Sequence, residues 1–266
     1  MITAMACTMA LALPGTASAD STSTGTVSAD LVSRTAYPVK SAALTKNALH
    51  TIGPLPETKC VEIPIADNDR PAAQRYLSVL LDCFNATWKP AITGAGLKFT
   101  GPKLSFVKKL PRKFCGFTVD KYNSHSFYCA KTRTITYQLG KSYLTGAGDL
   151  RLMHDISMLY AEHVQNQTGI RKAWFKLPYK NEKENSEQNH RMNLQMDCLS
   201  GASVKSIWPS LHRSYHEWDG VLVSLGWSGD PWSGRGTSRQ DWTARGFDTG
   251  APSSCNTWTA DRFEVL

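Results

Sequence analysis

The sequence predicts an α+β fold, mainly helical, with a small β-hairpin or sheet and a frame of disulfides. Three observations carry that prediction. Apolar residues recur at helical spacing in several long stretches, one central stretch has the shorter rhythm and β-branched residues of a hairpin, and six cysteines follow an export-type leader. With 266 residues and 41% hydrophobic content, the chain can bury a sizeable core as one domain with an extended lead-in.

The opening "MITAMACTMALALPGTASA" is apolar and closes on Ala17-Ser18-Ala19, so residues 1–19 are expected to be a removed signal peptide. No later stretch approaches the roughly 20 apolar residues of a membrane span. The mature chain is therefore expected to be secreted, free or wall-associated, without a transmembrane segment. Residues 20–55, rich in Ser, Thr, Ala and Gly without sustained period, are expected to be a flexible lead-in, with the domain over 56–266.

Within the domain, Tyr76, Leu77, Leu80, Leu81 and Phe84 recur at helical spacing behind Pro71 and mark the first helix. "FCGFTVDKYNSHSFYCAKTRTITYQLG" then reads as a small sheet, with Cys115 and Cys129 placed to bridge the two arms of a hairpin. Next, Leu152, Met153, Ile156, Leu159, Tyr160 and Val164 form the apolar face of an amphipathic helix that starts near Gly148-Asp149 and stops at Gly169. Its other face carries Asp155, Met158, Glu162 and Gln165, expected to face solvent. His154 and His163 lie nine residues apart on this helix, about 180° around its axis, and cannot chelate one ion together. In the following helix, capped by Asn185 or Ser186, Met192, Gln195, Leu199 and Ala202 form one stripe and His190, Asn193 and Asp197 another, also assigned to water.

The mature chain keeps six cysteines and has no C-x-x-C pair, which points to structural bridges and leaves 15 pairings open. Thirty Lys and Arg against 22 Asp and Glu give a net charge of +8, favouring anionic cell-wall polymers, acidic lipid or extracellular nucleic acid. No motif singles out nucleic acid. The absence of G-x-S-x-G removes the usual signature of a serine hydrolase. Trp208, Trp218, Trp227, Trp232, Trp242 and Trp258 crowd the last sixty or so residues beside Arg235, Arg239 and Arg245. Most are expected in the core; exposed ones can stack on sugars.

At "EHVQNQTGI", "NLQMDCLSG" and "GTSRQDWTARGFDTGAPSSCNTW" the chain resembles the putative neutral zinc metallopeptidase family, from about Cys60 to the C-terminus. "FCGF" and "SFYCA" resemble that family's cysteine-bearing hairpin. The resemblance implies a zincin-like domain and pairs Cys60 with Cys83, Cys115 with Cys129 and Cys198 with Cys255. Anchored on His163-Val164-Gln165-Asn166, the family's H-E-x-x-H falls on Met158-Leu159-Tyr160-Ala161-Glu162. Its third ligand, a Glu, falls on Asn193, and its later His on Arg235.

Every position that touches the metal or the reacting water has thus changed. Catalytic zinc takes three deprotonated N, S or O donors from protein and leaves water in an open position. Glu162 alone is such a donor here, Met158 offers a thioether suited to softer ions, and Leu159 cannot act as a general base. The expectation is a non-catalytic pseudopeptidase, binding no cofactor and recognising a peptide or an anionic cell-wall polymer. The alternative is an active metallopeptidase whose zinc sits in a rebuilt site of Glu162, His190 and Asp197, with Asp155 nearby.

Overall fold

Local capping sets where the long helices begin. The computed structural model describes residues 37–266 except 123, 146 and 147, so the expected signal peptide over 1–19 lies outside the described residues. Helix α1 (Ala42–Thr45) and a 3-10 turn (Ala48–Thr51) come first. Helix α2 (Arg70–Gly94) follows, its start fixed by Asp69, whose carboxylate accepts the Ala72 N–H at 2.8 Å, and by Pro71 in the first turn. Its Tyr76, Leu77, Leu80 and Phe84 are buried, as their spacing predicts.

Strands β1 (Lys103–Phe106), β4 (His125–Cys129) and β5 (Thr134–Gln138) make a three-stranded sheet in the order β1-β5-β4, with β1 parallel and β4 antiparallel to β5. Between β1 and β4, β2 (Lys113–Phe114) and β3 (Phe117–Thr118) form a separate two-residue ribbon. Cys115 lies in the turn of that ribbon at φ 48° and is bonded to Cys129 at the end of β4. The bridge therefore ties the ribbon to the sheet rather than joining the arms of one hairpin; the hairpin partner of β4 is β5, brought back by the turn at 130–133.

Helix α3 (Gly148–Gln167) is followed by Gly169 at φ 82° and by the short α4 (Ile170–Trp174). Helix α5 (Glu182–Ile207) begins one turn earlier than expected. Asn181, not Asn185 or Ser186, is its cap and accepts the Glu184 N–H at 3.0 Å, with Glu182 and Glu184 favourably placed in the first turn. Helices α6 (Tyr215–Gly226) and α7 (Gly236–Thr249) close the bundle. The backbones of α5 and α7 touch: a Cβ on Gly246 would stand 1.8 Å from the Cys198 carbonyl oxygen, and one on Gly201 2.1 Å from that of Thr243. Glycine is required at both positions.

The flexible lead-in expected over 20–55 is corrected where it is described. Leu44, Leu49, Ile52 and Leu55 are buried, and the segment is bonded to the C-terminal region through Leu55 N–H to Gly250 O (2.8 Å), Ser253 N–H to Ile52 O (2.9 Å) and Asn256 Nδ2 to Thr45 O (3.1 Å). Its apolar residues have no helical or strand period because they pack as a strap against other elements. Disulfides Cys60–Cys83 and Cys198–Cys255 complete the pairing that the resemblance implied. Trp208, Trp218, Trp242 and Trp258 are core residues, whereas Trp227 and Trp232 are exposed.

Candidate functional site

Helices α3 and α5 cross through polar side chains, and this corrects the expectation that those stripes face water. Gln165 is fully buried and its amide donates to Met192 O (2.9 Å) and to Gln195 Oε1 (3.1 Å). The Gln195 amide is bonded in turn to His50 Nε2 (2.9 Å) and Cys255 O (3.1 Å). Hydrogen bonding makes this burial tolerable. His163 is also buried. Its Nε2 donates to Thr100 O (2.8 Å), which leaves Nδ1 to accept the Tyr128 hydroxyl at 2.9 Å. Burial lowers its pKa to about 4, consistent with the neutral ring.

His154 faces elsewhere, with its ring 6.4 Å from that of Trp218. Burial, with a smaller contribution from the Arg239 charge, lowers its pKa to about 4. The two histidines thus point apart, as their spacing requires.

Each carboxylate of the candidate cleft is already engaged. Glu162 is paired with Arg171 from α4; burial raises its pKa and the guanidinium opposes that shift. Asp197 is fully buried and accepts the Arg239 fork at 3.1 Å from Nε and 3.2 Å from Nη2. Desolvation pushes its pKa up to about 6 against the pull of Arg239. Arg239 also donates from Nη1 to Ser228 O and Oγ, both at 3.1 Å. Asp155 accepts Ser126 Oγ at 3.0 Å and Tyr143 OH at 3.3 Å.

The remaining positions are similarly committed. Both ring nitrogens of His190 face backbone carbonyls, Nδ1 that of Val265 and Nε2 that of Pro231, each at 3.1 Å. The Asn193 amide donates to Asn189 O and Trp232 O, each at 3.0 Å, which holds the 230–234 loop over α5. Met158 and Leu159 are half-buried, and Arg235 is exposed at the start of α7.

Among the described residues no three His, Cys, Asp or Glu side chains gather where they could share an ion. Glu162 is held by Arg171, Asp197 by Arg239 and His190 by two backbone carbonyls. Guanidinium groups therefore stand beside both Glu162 and Asp197, and the side chain of Leu159 offers no group to act as a base. Sequence reasoning missed Arg171 and noted Arg239 only as a neighbour of the C-terminal tryptophans, not as the partner of Asp197. They lie 9 and 42 positions from their partners, and no spacing rule links them.

Residues 21–213 match the family described as putative neutral zinc metallopeptidase, and the chain belongs to that family. The match begins earlier than Cys60, within the segment expected to be a lead-in. It ends before the C-terminal motifs around Arg235 and Cys255. The chain is 28% identical over 215 residues to the uncharacterized protein YpfJ of Escherichia coli K12, covering 73% of this chain and 74% of that protein, and equally to YpfJ of Escherichia coli O6:H1. No solved structure matches the chain.

Proposed function

We propose that the chain is an exported, non-catalytic member of its family, a pseudopeptidase that binds a peptide or an anionic cell-wall polymer and uses no metal cofactor. The observation that carries this reading is the fate of Glu162. It is the one competent donor left at the family's ligand positions, and it is neutralised by Arg171. Export is supported by the Ala17-Ser18-Ala19 leader and by three disulfides, which persist in oxidising compartments. Exposed Trp227 and Trp232, on the loop beside Asn193, offer ring faces to a ligand laid along the former cleft.

Zinc, copper and manganese content of the secreted, disulfide-bonded protein tests the reading, together with casein cleavage. The expected result is less than about a tenth of an equivalent of any of these metals, background for one competent donor, and no cleavage above buffer. About one equivalent of metal that disappears in Glu162→Ala or His190→Ala, accompanied by cleavage, would establish the rebuilt metallopeptidase instead.

A further inference from the structure

Charge is distributed unevenly along this chain. Residues 98–148 carry ten Lys or Arg and a single acid, Asp120, whereas all the other residues together carry twenty Lys or Arg against twenty-one Asp or Glu. The net charge of +8 is therefore a property of the sheet-bearing segment rather than of the whole surface.

The fold turns that segment into a concave site. A cavity of about 770 Å³ opens beside the β2–β3 ribbon and is lined by Lys108, Lys109, Arg112 and Lys121, with Val119 and the exposed ring of Tyr122. Its one carboxylate is turned to local work: Asp120 Oδ1 accepts the Tyr122 N–H at 2.9 Å and lies 3.2 Å from His125 Nε2. Among the described residues, no lysine takes part in an ion pair. The four lining cations are exposed.

The walls are fixed in place. Leu110 N–H donates to Gln138 Oε1 at 2.6 Å, Val119 N–H to Arg112 O at 2.9 Å, and Cys115–Cys129 fastens the ribbon to β4. A second cavity of about 420 Å³ shares Tyr122 and adds Lys141, Arg151, Ser124 and Ser142. Two basic hollows meeting at one ring suit a chain-like ligand with repeated negative charges.

We propose that these cavities form a binding site for an anionic glycan polymer bearing phosphate or carboxylate groups, with Tyr122 against a sugar face and the cations on successive charges. Thr118, Ser124 and Ser142 supply the hydroxyls that a sugar uses. A single-stranded nucleic acid would call for several exposed stacking rings in succession; of the rings that line these cavities, Tyr122 is exposed and His125 is buried. The site names the polymer half of the proposed binding role and rests on that reading, but it lies on the sheet and uses none of the residues of the former peptidase cleft.

The test is titration of the disulfide-bonded full chain with phosphomannan, polygalacturonate and double-stranded DNA across about 25–200 mM salt. Two triple variants are compared, Lys108→Gln/Lys109→Gln/Arg112→Gln in the site and Lys89→Gln/Lys172→Gln/Lys183→Gln elsewhere, which lose equal charge. Binding to at least one glycan should weaken roughly tenfold or more in the first variant, with the slope of log affinity against log salt falling by about 2–3. The second variant should stay within about twofold. The polymer that binds more tightly assigns phosphate or carboxylate as the recognised group. Equal losses in both variants, DNA binding as tight as glycan binding, or no glycan binding even at about 25 mM salt would each overturn the site. Metal content and casein cleavage read the pseudopeptidase assignment separately, so either conclusion can fail while the other stands.

Discussion

The polar crossing of α3, α5 and α7 and the basic cavities beside the sheet handle charge in opposite ways. Around α3, α5 and α7 the acidic groups are met from within the fold, Glu162 by Arg171 and Asp197 by Arg239. On the sheet, cations gather with one acid among them, and that acid is bonded to its own loop. Charge satisfied internally serves the fold, whereas charge left facing a cavity is available to a partner. The contrast adds the sheet to the helical cleft as a place where a charged polymer can be met.

The sharpest way to break the helical half is at its closest contact. Gly246→Ala would drive a methyl group into the Cys198 carbonyl, and we expect a loss of about 4 kcal/mol or more in urea unfolding, as for other severe backbone clashes. A smaller loss would mean that α7 can slide on α5. Next in size is Arg239→Met, which strands Asp197. The expected cost is about 3 kcal/mol near pH 7.5, the usual scale for breaking a buried pair. It should shrink toward pH 5, where the Asp197 carboxyl, already raised to about 6, takes up a proton. Adding Asp197→Asn should recover at least half of the loss; no recovery would show that Arg239 acts through Ser228 alone.

The imidazoles sharpen the same comparison through pH. Burial holds His50, His154 and His163 at about 4 in the folded chain, below the ordinary value near 6.5. Between those values the unfolded chain binds protons that the folded one refuses, so stability should fall as pH drops from about 6.5 to about 4. Asp197, raised to about 6, offsets part of that fall because its carboxyl protonates earlier in the folded state. Urea midpoints across this range should follow the slope, and His163→Gln should reduce it by about one proton. The smallest effect belongs to the sheet. The Lys108, Lys109 and Arg112 triple variant should move stability by no more than about 0.5 kcal/mol, as exposed residues do, while its glycan binding falls.

Periodicity and spacing made the helical frame legible. The run from Tyr76 to Phe84 placed α2, and the run from Leu152 to Val164 with Gly169 placed α3. The opposed directions of His154 and His163 followed from nine residues at about 100° each. Cysteine pairing was legible only through family resemblance. The strap at 42–55 was hidden because its leucines answer to tertiary contacts and carry no period. The polar faces of α3 and α5 were hidden for a related reason: a glutamine that faces water and one that bonds another glutamine look alike in one dimension. The pairing of Glu162 with Arg171 and of Asp197 with Arg239 was not legible either, since these arginines reach their partners only after the chain has folded.

The strap has a mechanical consequence as well. Its backbone is bonded to residues 250–256, and Cys255 is joined covalently to Cys198 in the middle of α5. Tension applied to the strap would pass into the C-terminal turn and then, by that covalent link, into the longest helix among the described residues. Cys60–Cys83 offers a parallel route into α2. Both routes load the helices and bypass the β2–β3 ribbon, so a chain pulled at the strap could bear that load while its basic cavities kept their shape.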